Sequence, residues 1–157
     1  MKILPNPSQN ANSSGLICLL MMARYHEISI NAEGLMHDLA LDKGLLSVGE
    51  MVLGARALGL HAKLKRPYVN RLDRLALPAI ARDRNGEYFL LGRIVMREGL
   101  QKVVIQRPLI AGTDEWTTEE FIAAWAGQLI LIASRASIIG DLAKFDFSWF
   151  IPAVIGG

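Results

Sequence analysis

Cysteine, histidine and long apolar runs are all scarce in this sequence, and each scarcity excludes something. A single cysteine, Cys18, rules out an internal disulfide and suits a reducing compartment. The three histidines, His26, His37 and His61, lie far apart, without the short pairwise spacing of a metal site such as His-Glu-x-x-His. The longest uninterrupted apolar run, Leu16 to Ala23, is far short of the ~20 residues that a membrane-spanning helix needs. The opening "MKILPNPSQNANSS" reaches Pro5 before any apolar region develops, so no secretory signal is expected. Charged residues are only 20% of the chain against 52% hydrophobic, which argues against disorder.

What is present suits one domain. A chain of 157 residues can bury a substantial core. The formal charge of +2 is unevenly spread. Between His61 and Arg84, seven basic residues (Lys63, Lys65, Arg66, Arg71, Arg74, Arg82, Arg84) face two acidic ones (Asp73, Asp83), a net of +5. Asp114, Glu115, Glu119 and Glu120 make the segment 114–120 net −4. Either stretch is solvated surface or a docking patch, the basic one for an acidic partner. Nucleic acid is not expected, because neither a recognition motif nor a stripe of interleaved aromatics accompanies the charge.

Helices are expected first and a mostly antiparallel sheet second, which is the α+β pattern. Residues 1–12, polar and holding two prolines, are expected to be irregular. Ser13 or Ser14 is expected to cap a helix from Gly15 to about His26, apolar nearly all round and therefore buried by its neighbours. Asn31 begins a second helix to about Ala40. Ser47 and Glu50 have capping-box spacing for a third, which Gly59 stops. Strands follow in "LHAKLK", "LPAIARD", after the Asn85-Gly86 turn, and in "KVVIQR". A helix capped by Thr117, with Glu120 completing the box and Gly127 ending it, precedes a last strand in "QLILIAS". The aromatic tail "FDFSWFIPAVIGG" is either a packed C-terminal strand or the approach to something apolar such as a membrane.

Two side chains near the first helix invite a nucleophile reading. A reactive cysteine needs a helix N-terminus, an imidazole and partial exposure. Cys18 lies about a turn inside the helix between Ile17 and Leu19, which favours a protonated, inert thiol. Ser14, at the expected helix start, is better placed for a developing anion, but as a plain cap it needs no further explanation. His26, at the helix end, is where the dipole favours a cation.

The order of features resembles the bacteriocin-processing cysteine peptidase domain of certain ATP-binding-cassette exporters. The stretches "SGLICLLMMARYH", "LPAIARDRNGEYFLL", "VVIQRP" and "LAKFDFSWFIPAVI" resemble more closely the N-terminal peptidase-like domain of RTX-toxin exporters of the haemolysin and cyclolysin kind, from about Gln9 onward. The resemblance implies a papain-like fold, with residues 1–140 as the peptidase-like domain and 141–157 as a linker towards a first membrane helix. It places the nucleophile position at Ser14, the oxyanion-hole glutamine at Gln9, the base at Tyr88 and the orienting acid at Gln106. Nucleophile, base and acid would then all be missing, and a phenol of ordinary pKa about 10 is a poor base near neutrality.

The implied role is that of a non-catalytic substrate-binding domain of a type I secretion transporter, at the cytoplasmic face of a bacterial inner membrane. The expected partners are an unfolded RTX-type protein, the transporter's own transmembrane and nucleotide-binding domains, and the membrane fusion protein of the secretion complex. No cofactor or metal is expected in this domain, since ATP and Mg would belong to the nucleotide-binding domain. RTX repeats are rich in Asp and Gly, so Lys63, Lys65, Arg66, Arg71 and Arg74, with Tyr88, are the candidate substrate contacts. The rivals are a leader peptidase using Ser14 or Cys18, and a purely structural module.

Overall fold

Two layers of helix enclose one sheet, and sequence periodicity explains which residues face which layer. The computed structural model describes residues 7–28, 46–108 and 110–134. The expected helix from Asn31 to Ala40, with His37, lies outside these residues, as do the 141–157 linker and its aromatic block. The described elements are α1 (Pro7–Tyr25), α2 (Val48–Ala57), β1 (His61–Lys65), a 3-10 helix (Val69–Arg74), β2 (Ala79–Asp83), β3 (Tyr88–Arg97), β4 (Leu100–Gln106), β5 (Asp114–Thr117), α3 (Thr118–Ala124) and β6 (Trp125–Ala133). The six strands pair antiparallel in the order β1-β6-β2-β3-β4-β5.

Strand alternation divides the core between the two faces. Ile80, Tyr88, Leu90, Ile130 and Ile132 pack against Cys18, Leu19, Met22 and Ala23 of α1 and Met51 and Ala55 of α2. Ala81, Phe89, Leu91, Val103, Ile105 and Leu129 point the other way, onto Leu72 of the 3-10 helix and Phe121 and Trp125. Phe121 stacks on Trp125 at 5.0 Å and meets Phe89 edge-on at 6.1 Å. Removing such a side chain wholly from water contributes about 1.5–3 kcal/mol, so Phe121 anchors the short α3 more than its own helical bonds do.

Local signals mark most element ends. Ser47 Oγ accepts from Glu50 N at 3.1 Å while Glu50 Oε1 accepts from Ser47 N at 2.8 Å. Thr117 and Glu120 make the same reciprocal pair at 3.0 and 2.8 Å. Gly59 follows α2 with φ +86°. The β2–β3 connection, residues 84–87, has Gly86 at φ +89° and is closed by Asp83 N donating to Glu87 O at 2.8 Å. Asp83 Oδ1 accepts from both Asn85 N and Glu87 N and holds the turn.

Three expectations are corrected. Residues 7–12 are helical rather than irregular, because α1 begins at Pro7, where a missing N–H costs no hydrogen bond. Positions 13 and 14 therefore lie inside the helix rather than at its start. The Thr117-capped helix ends at Ala124 rather than Gly127: Trp125 already belongs to β6, drawn in by burial of its ring, at 5% exposure, beside Phe121. Gly127, at φ +91°, instead sits in an irregularity of β6, where the step from Leu129 to Trp125 is matched on β2 by Ala81 to Asp83 alone. Finally, Asp114–Thr117 is a strand and Val69–Arg74 a 3-10 turn, neither signalled by the local sequence.

Candidate functional site

Helix α1 packs on β3, and Ser14 and Gly15 meet Tyr88 at the start of that strand. Ser14, 5% exposed, accepts a hydrogen bond at its Oγ from the backbone N–H of Tyr88 at 3.0 Å. A Cβ on Gly15 would lie 2.8 Å from Met51 Sδ, 3.1 Å from Leu46 Cδ1 and 3.3 Å from Tyr88 Cδ2. A side chain here would force Met51, Leu46 and the Tyr88 ring to give way, so glycine suits this close packing of α1 on the Tyr88 ring. Leu46 and Gly15 thus belong to the site, although nothing in the local sequence singles out Leu46.

Tyr88 is a buried strut. Its hydroxyl donates to Leu46 O at 2.7 Å, and its ring is 2% exposed. Burial pushes the phenol up to about 12, against a smaller opposing pull from Arg82, whose guanidinium carbon stands 5.6 Å from the ring centroid. The phenol is therefore protonated across the physiological range, with its one proton directed at a carbonyl. The contact that joins Ser14 to Tyr88 uses the main chain of Tyr88.

Gln106 ends β4, as expected, but its register partner on β3 is Leu90. Ser14 and Tyr88 line a cleft of about 460 Å³ with Asp83, Arg107, Ile110 and Trp116. Gln106 lines a different cleft, of about 740 Å³, with Met21, Tyr25, Leu77 and Arg93. Two of the four positions that the resemblance singles out are thus brought together, and Gln106 is set apart from them. Gln9 falls in the first turns of α1. Because Ser14 is well inside α1, the favourable field of a helix N-terminus does not act on its oxygen, which corrects the sequence-based argument for a nucleophile there.

Cys18 is fully buried, and desolvation drives its thiol far above the ordinary range, so it stays protonated. His26 also departs from expectation. Burial lowers its pKa and outweighs a hydrogen bond to the Ile132 backbone, so the imidazole is held towards its neutral form despite the nearby helix end. Among the described residues, no group of three or more His, Cys, Asp or Glu is arranged to hold a metal ion, and no helix is long and apolar enough to cross a membrane.

The basic segment divides by role. Arg84 is structural, donating from Nε to Ala123 O and from Nη2 to Ile122 O, both at 2.9 Å, at the end of α3. Arg82 lies against Tyr88. Lys63, Lys65, Arg66, Arg71 and Arg74 are all exposed, on β1, just after it and on the 3-10 helix. Lys65 is held below the ordinary lysine range by the neighbouring Lys63, as hydrogen-bond neighbour and as like charge. The acidic segment is different: Glu115 pairs with Arg97 at 2.8 Å and Asp114 with Arg107 at 2.6 Å.

Comparison with known proteins adds a family and a fold. The peptidase C39 family matches residues 5–137. The leukotoxin translocation ATP-binding protein LktB of Mannheimia glucosida is 43% identical over 147 residues, covering 92% of this chain and 20% of that protein. Its counterpart in Bibersteinia trehalosi matches to the same extent. The chain thus spans about a fifth of the length of the curated relatives it matches. Among solved structures, a double glycine motif protease from an AMS/PCAT transporter, in complex with its leader peptide, superposes with TM-score 0.67 at 19% identity, over 85% of this chain and 91% of that one. The N-terminal peptidase C39 like domain of a toxin secretion ATP-binding protein from Vibrio parahaemolyticus gives 0.60 at 19%, over 78% and 97%. The peptidase domain of Streptococcus ComA gives 0.67 at 17%, over 85% and 98%. These likenesses establish a papain-like fold of helices on an antiparallel sheet.

Proposed function

This chain belongs to the peptidase C39 family, and we propose that within it the chain is a non-catalytic domain of a type I secretion transporter, engaging an unfolded RTX-type protein for export. The observation that carries this reading is Tyr88. Peptide cleavage by nucleophilic attack needs a base able to take the nucleophile's proton near neutrality. The side chain at the base position is a buried phenol pushed up to about 12, with its proton on Leu46 O. Ser14 Oγ, for its part, is an acceptor for a backbone N–H that fixes helix to sheet. Cys18 is sealed in the core and shifted the wrong way for a thiolate.

Similarity to the LktB proteins, whose name joins leukotoxin translocation to ATP binding, supports the transporter assignment. On this reading ATP and Mg are used by a nucleotide-binding domain elsewhere in the transporter. The domain sits on the cytoplasmic side, where cargo is still unfolded, beside the transmembrane segments and within reach of the membrane fusion protein. A structural neighbour of this fold is in complex with a leader peptide, which supports a polypeptide segment as the ligand.

The test is binding and cleavage measured together. The chain is titrated with a calcium-free, unfolded RTX polypeptide and with the same polypeptide folded by calcium, and both mixtures are then assayed for new termini. We expect binding to the unfolded form, little to the folded form, and no cleavage of either. Cleavage that disappears in Ser14→Ala or Cys18→Ala would restore the peptidase. Absence of binding, with export intact after deletion of the domain from the transporter, would leave a structural module.

A further inference from the structure

We propose that strand β1 is a docking edge for an extended acidic polypeptide segment, which pairs with it as an additional strand. The sheet order leaves β1 bonded on one side only, to β6. Arg56 Nη2 donates to Ala62 O at 3.3 Å, so that carbonyl points away from β6. In an extended strand the N–H and C=O of one residue point the same way and alternate along the chain. Leu64 therefore presents the next outward N–H and C=O, and among the described residues no hydrogen bond reaches them. Exposed Lys63 and Lys65 flank it along the strand.

The side chains select the occupant. His61, Lys63 and Lys65 project from one face of β1 and are exposed, while Ala62 and Leu64 turn towards the α1–α2 core. Arg66, Arg71 and Arg74 extend the positive surface, and Tyr68, 80% exposed, adds an apolar platform. Among the described residues no carboxylate lies within ion-pair distance of Lys63 or Lys65. Lysines on an edge strand ordinarily prevent like edges from pairing, because copies repel. The same lysines admit a strand carrying Asp or Glu at alternate positions, each opposite a lysine, with an apolar residue between them beside Leu64. The opposite edge offers no equivalent: its carboxylates Asp114 and Glu115 are already engaged by Arg107 and Arg97. An anionic lipid surface would satisfy the charge but not the directional N–H and C=O of Leu64, so a polypeptide fits better.

This inference rests on the cargo-binding reading only for where the acidic segment comes from, and its test does not need cargo. A labelled peptide alternating Asp and Val is titrated into the chain by fluorescence anisotropy. A Lys/Val peptide, an Asp/Val peptide with N-methylated backbone amides, and phosphatidylglycerol vesicles serve as comparators. We expect the Asp/Val peptide alone to bind, with added protection of the Leu64 amide in hydrogen exchange. Lys63→Glu with Lys65→Glu, both exposed, should weaken it at least about tenfold, and salt near 0.15 M should weaken it further. Equal binding of the N-methylated peptide, an unprotected Leu64 amide, indifference to the charge reversals, or vesicle binding without peptide binding would each overturn the docking edge. Unfolded RTX protein that binds equally well to the charge-reversed chain removes the edge and leaves the cargo reading standing. Peptide that docks on β1 while RTX protein does not bind keeps the edge and removes the cargo reading.

Discussion

Tyr88→Phe tests whether the residue at the base position is a structural strut. The change keeps the ring that fills the space between Gly15, Leu46 and Met51, so it opens no cavity. It deletes the 2.7 Å hydrogen bond to Leu46 O. Leu46 is 1% exposed, so its carbonyl loses its donor in a place with little access to water. Leaving such a group unsatisfied costs about 1–3 kcal/mol. For a chain of 157 residues that lowers Tm by roughly 2–12 °C. Tyr68→Phe, on a ring 80% exposed, is the control and should fall within about 0.5 kcal/mol of the parent.

The gap should also depend on pH with a definite sign. The folded pKa of Tyr88 is raised to about 12 from an ordinary value near 10. The folded protein then holds the phenolic proton where the unfolded chain releases it, so the stabilisation is complete below about pH 10 and is lost as pH rises through about 12. Denaturant unfolding of parent and Tyr88→Phe should show a constant difference up to about pH 10 and a shrinking one above it. A Phe variant as stable as the parent at neutral pH, with Tyr68→Phe unchanged, would refute the strut and reopen the phenol as a chemical group.

Two further outcomes follow from buried titratable groups. Cys18, with no exposed surface, should resist a polar thiol reagent in the native state and react only at the rate of unfolding; rapid native labelling would mean that α1 opens locally. His26 has a folded pKa below its unfolded value, so its contribution is present above about pH 6.5 and is lost as pH falls through the folded pKa. His26→Gln should flatten the acid limb of the stability profile below about pH 6.5, and an unchanged limb would place that proton uptake elsewhere.

Interactions spanning a few residues were legible in the sequence. The Ser47–Glu50 and Thr117–Glu120 boxes, the left-handed Gly59 and the Asn85-Gly86 turn bind neighbours to neighbours, so residue type and spacing suffice to specify them. Strand alternation in β1 was equally local, because burial on one face imposes a period of two. The resemblance gave the fold, and two of the positions it singled out, Ser14 and Tyr88, lie side by side in the structure.

Tertiary structure decided the rest. Ser14 meets Tyr88 N across 74 residues of chain, and the Tyr88 hydroxyl meets Leu46 O across 42. No local pattern encodes which carbonyl a buried phenol will find. Arg84 looked like one more surface cation until the fold placed it against the α3 carbonyls 38 and 39 residues away. Trp125 left its helix for a strand because burial beside Phe121 outweighed the propensity of the segment around it. Likewise, β1 reads as a strand in any context, but only the sheet order puts it at the edge, with two exposed lysines flanking Leu64. Short-range hydrogen bonds are fixed by residue type and spacing, whereas the partners of a buried or edge group depend on how the whole chain closes around its core.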